Sequence, residues 1–279
     1  MRFPVLDNHI HLQPSGKNIE ALREFSNAGG THVVLSQLPY DEIQIKEEKD
    51  FRASYQITLD IAERARKETD VGVFVSVGPY PVLLIDLAEK HGLSKATDIM
   101  KAGMDTAGKL VEEGKAIAIG EIGRPHFPVS PEILQASNDI MRYGMEVASE
   151  VGCAVVLHTE SATPEAMKEI ARIADVAGLE RGKVVKHYCP PLILEEENHG
   201  LFPSVLASRT AITEALQKGT RFMMETDYLD DLSRPGAVMS ITTVPKRTKA
   251  LMNSKSVSEE TILRIHKDNP QKVYGIEIN

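Results

Sequence analysis

A chain of 279 residues, 42% hydrophobic and 26% charged, can bury a large core, and lengths near this are routinely one α/β barrel. A formal net charge of −8 with no run of Lys and Arg excludes the basic footprint of a protein that grips long duplex nucleic acid. No apolar stretch reaches the roughly 20 residues of a membrane helix, no secretory pattern opens the chain, and two cysteines make no disulfide framework, so a cytoplasmic protein with free thiols and no membrane partner is expected.

The first apolar run, Phe3 to His9, leads into Asp7-Asn8-His9-Ile10-His11. Alternate side chains of a strand share a face, so His9 and His11 present two imidazoles together, as one divalent cation requires. A helix near 18–28 precedes a second strand, Thr31 to Gln37. The charged segment Asp41 to Asp50 then reads as a solvated helix surface, with a mobile lid as the alternative. A helix over 51–68, a third strand from Val71 to Val77 and a helix over 96–113 follow. The fourth strand, Ala116 to Glu121, ends in Gly120-Glu121-Ile122-Gly123.

Ser130-Pro131 and Thr163-Pro164 each place a capping hydroxyl before a first-turn proline, which starts helices over 131–151 and 164–177. Between and after them lie the fifth strand, Ala154 to His158, and the sixth, Val184 to His187. Pro190 to Gly200 leaves room only for a short acidic helix or a loop, so the unit between strands six and seven is degenerate. The seventh strand (Phe202 to Ala207), a helix over 209–218, the eighth strand (Arg221 to Thr226) and helices near 237–251 and 258–267 complete the chain. Eight apolar runs alternating with helices predict a single-domain α/β protein, a (β/α)8 TIM barrel spanning 1–279.

In such a barrel every strand's C-terminal end opens on one face. His9 and His11 close strand one, Glu121 strand four, His158 strand five and His187 strand six, and Asp227 follows strand eight. Four imidazoles and two carboxylates suit zinc or a similar divalent ion, with manganese, nickel, iron and magnesium as alternatives. They suffice for one ion, or for two if Glu121 bridges. Between two cations a water loses its proton near neutral pH, and Asp227 is placed to hold it and shuttle the proton onward.

At these residues the chain resembles the TatD family of metal-dependent hydrolases, within the amidohydrolase superfamily. The resemblance runs from residue 5 to 275 and adds Glu225-Thr226-Asp227 and Asn269-Pro270-Gln271-Lys272-Val273-Tyr274-Gly275 to the motifs above. It implies His9, His11, Glu121 and Asp227 around one ion and Glu121, His158 and His187 around a second. It also implies hydrolysis of a phosphoester, of the nuclease or phosphodiesterase type. Where the family continues its strand-four glutamate with Gly-Leu-Asp, this chain has Gly123-Arg124-Pro125-His126-Phe127, and Tyr188-Cys189-Pro190-Pro191 replaces the small-residue loop after strand six. That marks a divergent, archaeal-type branch.

Arg124 and His126 leave strand four on the active-site face. The guanidinium has two readings, a fork onto a substrate anion or a salt bridge to a surface acid; His126 could donate to a leaving group or ligate. Tyr228, after strand eight, is a substrate-orienting candidate, and Asp230 and Asp231 read as solvated. Strand alternation turns Lys186 away from His187, while Asp7 is placed to support a ligand histidine. Cys153 reads as core, Cys189 lies beside a ligand, and His32, His91, His199 and His266 carry no role. The substrate expected is a small molecule or a short nucleic acid. Attack on a lactone, ester or amide carbonyl is the alternative chemistry, and a metal-binding barrel without turnover is the alternative class.

Overall fold

The computed structural model describes residues 3–40, 42–254 and 257–279. Nine parallel strands form one sheet: β1 (Leu6–His11), β2 (His32–Ser36), β3 (Gly72–Val77), β4 (Ala118–Gly123), β5 (Ala154–His158), β6 (Val184–Cys189), β7 (Phe202–Leu206), β8 (Met223–Glu225) and β9 (Tyr228–Leu229). Their order is β8-β7-β6-β5-β4-β3-β2-β1-β9. The predicted eighth strand is thus broken in two. Met223 to Glu225 pairs with β7, and two residues later Tyr228 and Leu229 pair with β1. The sheet closes through these two pieces, and Thr226-Asp227 occupies the break, with Asp227 in the left-handed region at φ 49°.

The helices are α1 (Ile19–Ala28), α2 (Glu48–Glu68), α3 (Leu83–His91), α4 (Leu93–Glu112), α5 (Pro131–Val151), α6 (Pro164–Ala177), α7 (Glu195–Asn198), α8 (Arg209–Lys218), α9 (Thr243–Ser254), α10 (Glu259–Leu263) and α11 (Asn269–Tyr274), with a π-helical turn over Arg264–Asp268. The hydroxyls of Ser130 and Thr163 accept the backbone N–H groups of Ile133 and Ala166, as their sequences predict. The unit between β6 and β7 carries only the four-residue α7. The sequence pattern overlooks α3. Gly92, at φ 80°, separates it from α4 and breaks the helical period between two amphipathic pieces. Among the described residues no helix is long and apolar enough to cross a membrane.

Two apolar layers result from strand alternation. Outward-facing Val33, Leu35, Val73, Val75 and Ile119 pack under the helices with Phe51, Tyr55, Met104 and Ile140. Inward-facing Ala154 and Val156 share a face with His158, and Val185 shares one with His187. Together with Leu6, Val34, Ala118, Phe202 and Met223 they fill the barrel below those histidines. The C-terminal segment closes the opposite end: Asn269 donates to the carbonyl oxygens of Thr220 and Phe222, and this is the physical role of the Asn-Pro motif.

His266 belongs to the same closure. Its buried ring stands 3.0 Å from the Leu6 carbonyl oxygen and 2.8 Å from the Thr248 hydroxyl. Burial lowers its pKa from the ordinary 6.5 to about 4. The unfolded chain therefore takes the proton first as pH falls. Its contribution, about 3 kcal/mol, is complete above pH 6.5 and lost progressively toward pH 4. Urea midpoints at about pH 7.5 and about pH 5 should differ less in His266→Gln than in the parent; equal pH dependence in the two would refute this role.

Candidate metal centre

Three strands carry register irregularities, and each lies at or beside a metal-capable residue. The β1–β2 ladder shifts between Asp7 and Ile10, the β4–β5 ladder between Gly120 and Ile122, and the β6–β7 ladder between Lys186 and Cys189. Such shifts re-aim side chains at barrel rims. Two glycines make the β4 bend possible. A Cβ on Gly120 would stand 2.6 Å from that of Val156, and one on Gly123, at φ 133°, would meet the His158 carbonyl oxygen at 2.3 Å.

Glu121, a carboxylate buried at the centre of the group, faces both sets of histidines. Its Oε1 lies 2.7 Å from His187 Nε2 and 3.2 Å from His158 Nδ1, while Oε2 lies 3.7 Å from His11 Nε2. His9 Nε2 and His11 Nε2 are 3.1 Å apart, and Asp227 Oδ1 is 3.4 Å from the latter. The donor atoms form the groups His9–His11–Asp227 and Glu121–His158–His187, plus His9–His187–Glu225.

The donor chemistry fits a cation. His11 Nδ1 stands 3.0 Å from the Ser36 carbonyl oxygen, which can only accept, so that nitrogen carries the proton and Nε2 presents a lone pair. His9 Nδ1 meets the Ser36 hydroxyl, which can donate or accept, at 3.2 Å. The His11 lone pair faces His9 Nε2, Asp227 and Glu121, a set of donors suited to positive charge between them. Burial opposes ionisation of Glu121, yet the His187 and His9 imidazoles outweigh it and hold the carboxyl well below its ordinary range. Asp227 is likewise held down against burial by His11 and its neighbours. Burial also disfavours charge on His187, but Glu121 and Glu225 push it up to about 10.

Residues that the sequence left unassigned hold this arrangement. Glu225 accepts the Tyr188 N–H at 2.6 Å, sits 3.5 Å from His187 Nδ1, and bonds to Ser204, whose hydroxyl accepts from Asn8. Tyr188 is left-handed at φ 49°, which turns the chain immediately after His187. Tyr80 places its hydroxyl 3.4 Å from His158 Nε2. Glu225 was within reach of sequence reasoning, two positions before Asp227 in Glu-Thr-Asp; Ser36 and Tyr80 carry no residue-type signal.

Several expectations change. The Arg124 guanidinium is buried, donates to Asn138 and Glu160 at 2.6 and 2.9 Å and pairs with Glu169 at 2.9 Å, while its Nη2 has no hydrogen-bond partner. Tyr228 donates to Asp230 at 3.0 Å, outside the cleft. Asp230 is buried rather than solvated, accepting the N–H groups of Lys17 and Asn18. Asp7 does not reach a ligand ring. It accepts the N–H and hydroxyl of Thr226 at 2.9 and 2.7 Å and so ties β1 to the residue before Asp227. Lys186 is buried yet lines the cleft, because the β6 irregularity cancels simple alternation. His126, exposed, lines the same cleft with Nδ1 2.9 Å from His158 Nε2. Both cysteines are buried and unpaired, and burial pushes the Cys189 thiol up to about 12.

The cleft measures about 260 Å³ and includes Asp227, His158, His187, Thr159, Ser161 and Tyr188 in its walls. The family model described as TatD related DNase matches residues 6–275. An uncharacterized protein of Methanocaldococcus jannaschii is 41% identical over 99% of this chain and 97% of its own length. Among solved structures, YJJV, a TatD homolog from Escherichia coli K12, superposes with TM-score 0.68 at 17% identity over 99% of this chain and all of its own (100%). The phosphotriesterase homology protein of Escherichia coli, complexed with phosphate in its active site, gives 0.63 at 14% identity over 98% of this chain and 99% of its own.

Proposed function

Since the chain belongs to the TatD related DNase family, we propose that it is a metal-dependent hydrolase that cleaves a phosphodiester bond in a small molecule or short nucleic acid. The observation that carries this reading is Glu121, which stands between the two histidine groups, its Oε1 2.7 Å from His187 Nε2 and 3.5 Å from His9 Nε2 and its Oε2 3.7 Å from His11 Nε2. His9, His11, Glu121 and Asp227 would hold one divalent cation, and Glu121, His158 and His187 a second. Bound there, zinc or a similar ion supplies Lewis acidity and makes a water nucleophilic near neutral pH.

The chain's own groups do the rest. Asp227 borders the cleft with Oδ1 turned to His11, which leaves its other oxygen to orient the attacking water and take its proton. His126, at the cleft mouth beside His158, is placed to return a proton to the leaving oxygen. Lys186 Nζ donates to the His187 carbonyl at 2.6 Å and retains further N–H groups for a substrate oxygen. Lys186 is the one Lys or Arg lining the cleft among the described residues. The same cleft also holds the Glu160 and Asp227 carboxylates, so its charge does not choose between the two chemistries, and the family membership supports phosphorus over carbonyl chemistry.

Lys186→Met is expected to raise KM for a phosphodiester by about tenfold or more, the worth of a charged hydrogen bond, with a smaller change in kcat. Generic phosphodiester, phosphomonoester and carboxylic-ester probes, each with and without added metal, test the reaction class. Metal-dependent cleavage of the phosphodiester is expected. Cleavage of the carboxylic ester alone would overturn the phosphorus assignment, and no cleavage of any probe would favour a non-catalytic barrel.

A further inference from the structure

A second cavity of about 240 Å³ opens on the same face of the barrel, between the loop after β2 and the start of α3. Ile43, Ile45, Phe51, Tyr55, Leu83 and Leu87 give it an apolar floor and wall, and Gln37, Ser54, Asp86 and Lys90 are among the polar residues that complete the lining. The loop over 42–46 builds one wall by alternation. Ile43 and Ile45 turn inward and are half-buried, while Glu42, Gln44 and Lys46 are exposed. Phe51, Tyr55 and Leu87 are fully buried and form the floor.

This cavity adjoins the metal centre. Tyr80 lines it, and the same ring packs edge-on against His158 at 5.0 Å between centroids, its hydroxyl 3.4 Å from the His158 ring nitrogen. Gln37, also in the lining, directly follows Ser36, whose carbonyl and hydroxyl meet His11 and His9. One side of the centre is therefore a cleft holding Lys186 and His126, and the other is a cavity of similar size with an apolar floor of Phe51, Tyr55 and Leu87, with exposed Asp86 and Lys90 in its lining and a tyrosine between the two. A molecule reacting at the centre can place a polar portion against Lys186 and an apolar portion on the floor of the cavity.

The geometry assigns this cavity as the subsite for the apolar alcohol portion of a small phosphodiester, an aryl or branched alkyl group of one or two rings. The inference rests on the hydrolase reading above. Water's oxygen bonds to phosphorus, the bond from phosphorus to the apolar group's oxygen breaks with its electron pair, and the proton shed by water ends on that oxygen. The product is the free alcohol, still seated in the cavity. Apolar pockets discriminate by contact area, so a larger group that still fits is favoured over a smaller one.

The test uses 2-naphthol as the probe of the apolar group, titrated into metal-stripped and metal-loaded protein; the chain has no tryptophan, so naphthol emission is read directly. Methyl 2-naphthyl phosphate and methyl phenyl phosphate, whose leaving groups are of similar basicity, report turnover. Filling the cavity with Ile45→Phe and Leu83→Phe together should weaken naphthol binding about tenfold or more, and lower the naphthyl-to-phenyl ratio of kcat/KM by a comparable factor. Leu83→Ala, which enlarges the cavity, should raise the naphthyl-to-phenyl ratio of kcat/KM, the opposite direction to the double substitution, and an unchanged thermal midpoint separates that shift from a folding defect. Naphthol bound with neither ester cleaved would support the subsite and reject the phosphodiesterase reading. No naphthol binding, or binding indifferent to all three substitutions, would overturn the subsite and leave the cavity to a partner's side chain.

Discussion

Asp227→Asn is expected to lower kcat on a phosphodiester by about 10²–10⁴-fold, the usual worth of a positioned general base, while metal content stays near that of the parent. The amide keeps the shape of the carboxylate and can still turn an oxygen toward His11, but it cannot accept water's proton. Retention of metal follows from the remaining donors: His9 and His11 stay in place, and the two oxygens of Glu121 lie 3.5 and 3.7 Å from their Nε2 atoms. The Asp7–Thr226 hydrogen bonds that fix the left-handed turn do not involve the substituted side chain. Parallel measurement of kcat and metal content checks this. Activity within tenfold of the parent, or metal lost in step with activity, would remove Asp227 from the proton-handling role.

Glu121→Gln should have the broader effect. Its carboxylate lies within 3.7 Å of a ring nitrogen in both histidine sets and is buried among four imidazoles. Neutralising it removes a charge that both proposed ions share. Loss of a hydrogen-bond partner one step removed from a metal costs about 10–100-fold in affinity, and loss of a shared ligand should exceed that. Competition against a chelator should show affinity down by more than about 100-fold, with activity lost together with metal. Glu121→Gln with unchanged affinity would mean that the carboxylate does not bridge.

The outcome of reading the sequence differs by residue, for physical reasons. Each proposed ligand except Asp227 ends an apolar run, so strand position and chemistry coincide, and the family motifs fall on the same residues. Asp227 was legible only as a residue following a strand; that the last strand breaks around it to close the barrel depends on pairing with β1, distant in sequence. Lys186, whose place in the strand reads as structural or surface, is buried on the His187 carbonyl oxygen and also lines the cleft, which alternation does not anticipate beside a register shift between Lys186 and Cys189. Arg124 was ambiguous because a guanidinium near a barrel mouth looks the same in sequence whether it meets substrate or Glu160 and Glu169. Asp230 looked solvated by residue type, yet two backbone N–H groups from the loop before α1 and the Tyr228 hydroxyl account for its burial. Of the charged run Asp41 to Asp50, Asp41 lies outside the described residues. Most of the rest is exposed, as a solvated surface should be, and Asp50 accepts the N–H groups of Lys46 and Glu47 to start α2.

Elemental analysis of freshly purified protein, beside Glu121→Gln prepared identically, tests the metal centre most directly. The account predicts about one to two equivalents of a divalent first-row metal per chain in the parent and a marked deficit in the variant. A parent that carries no metal, and takes up none when zinc, manganese, nickel, iron and magnesium are supplied in turn, would contradict it.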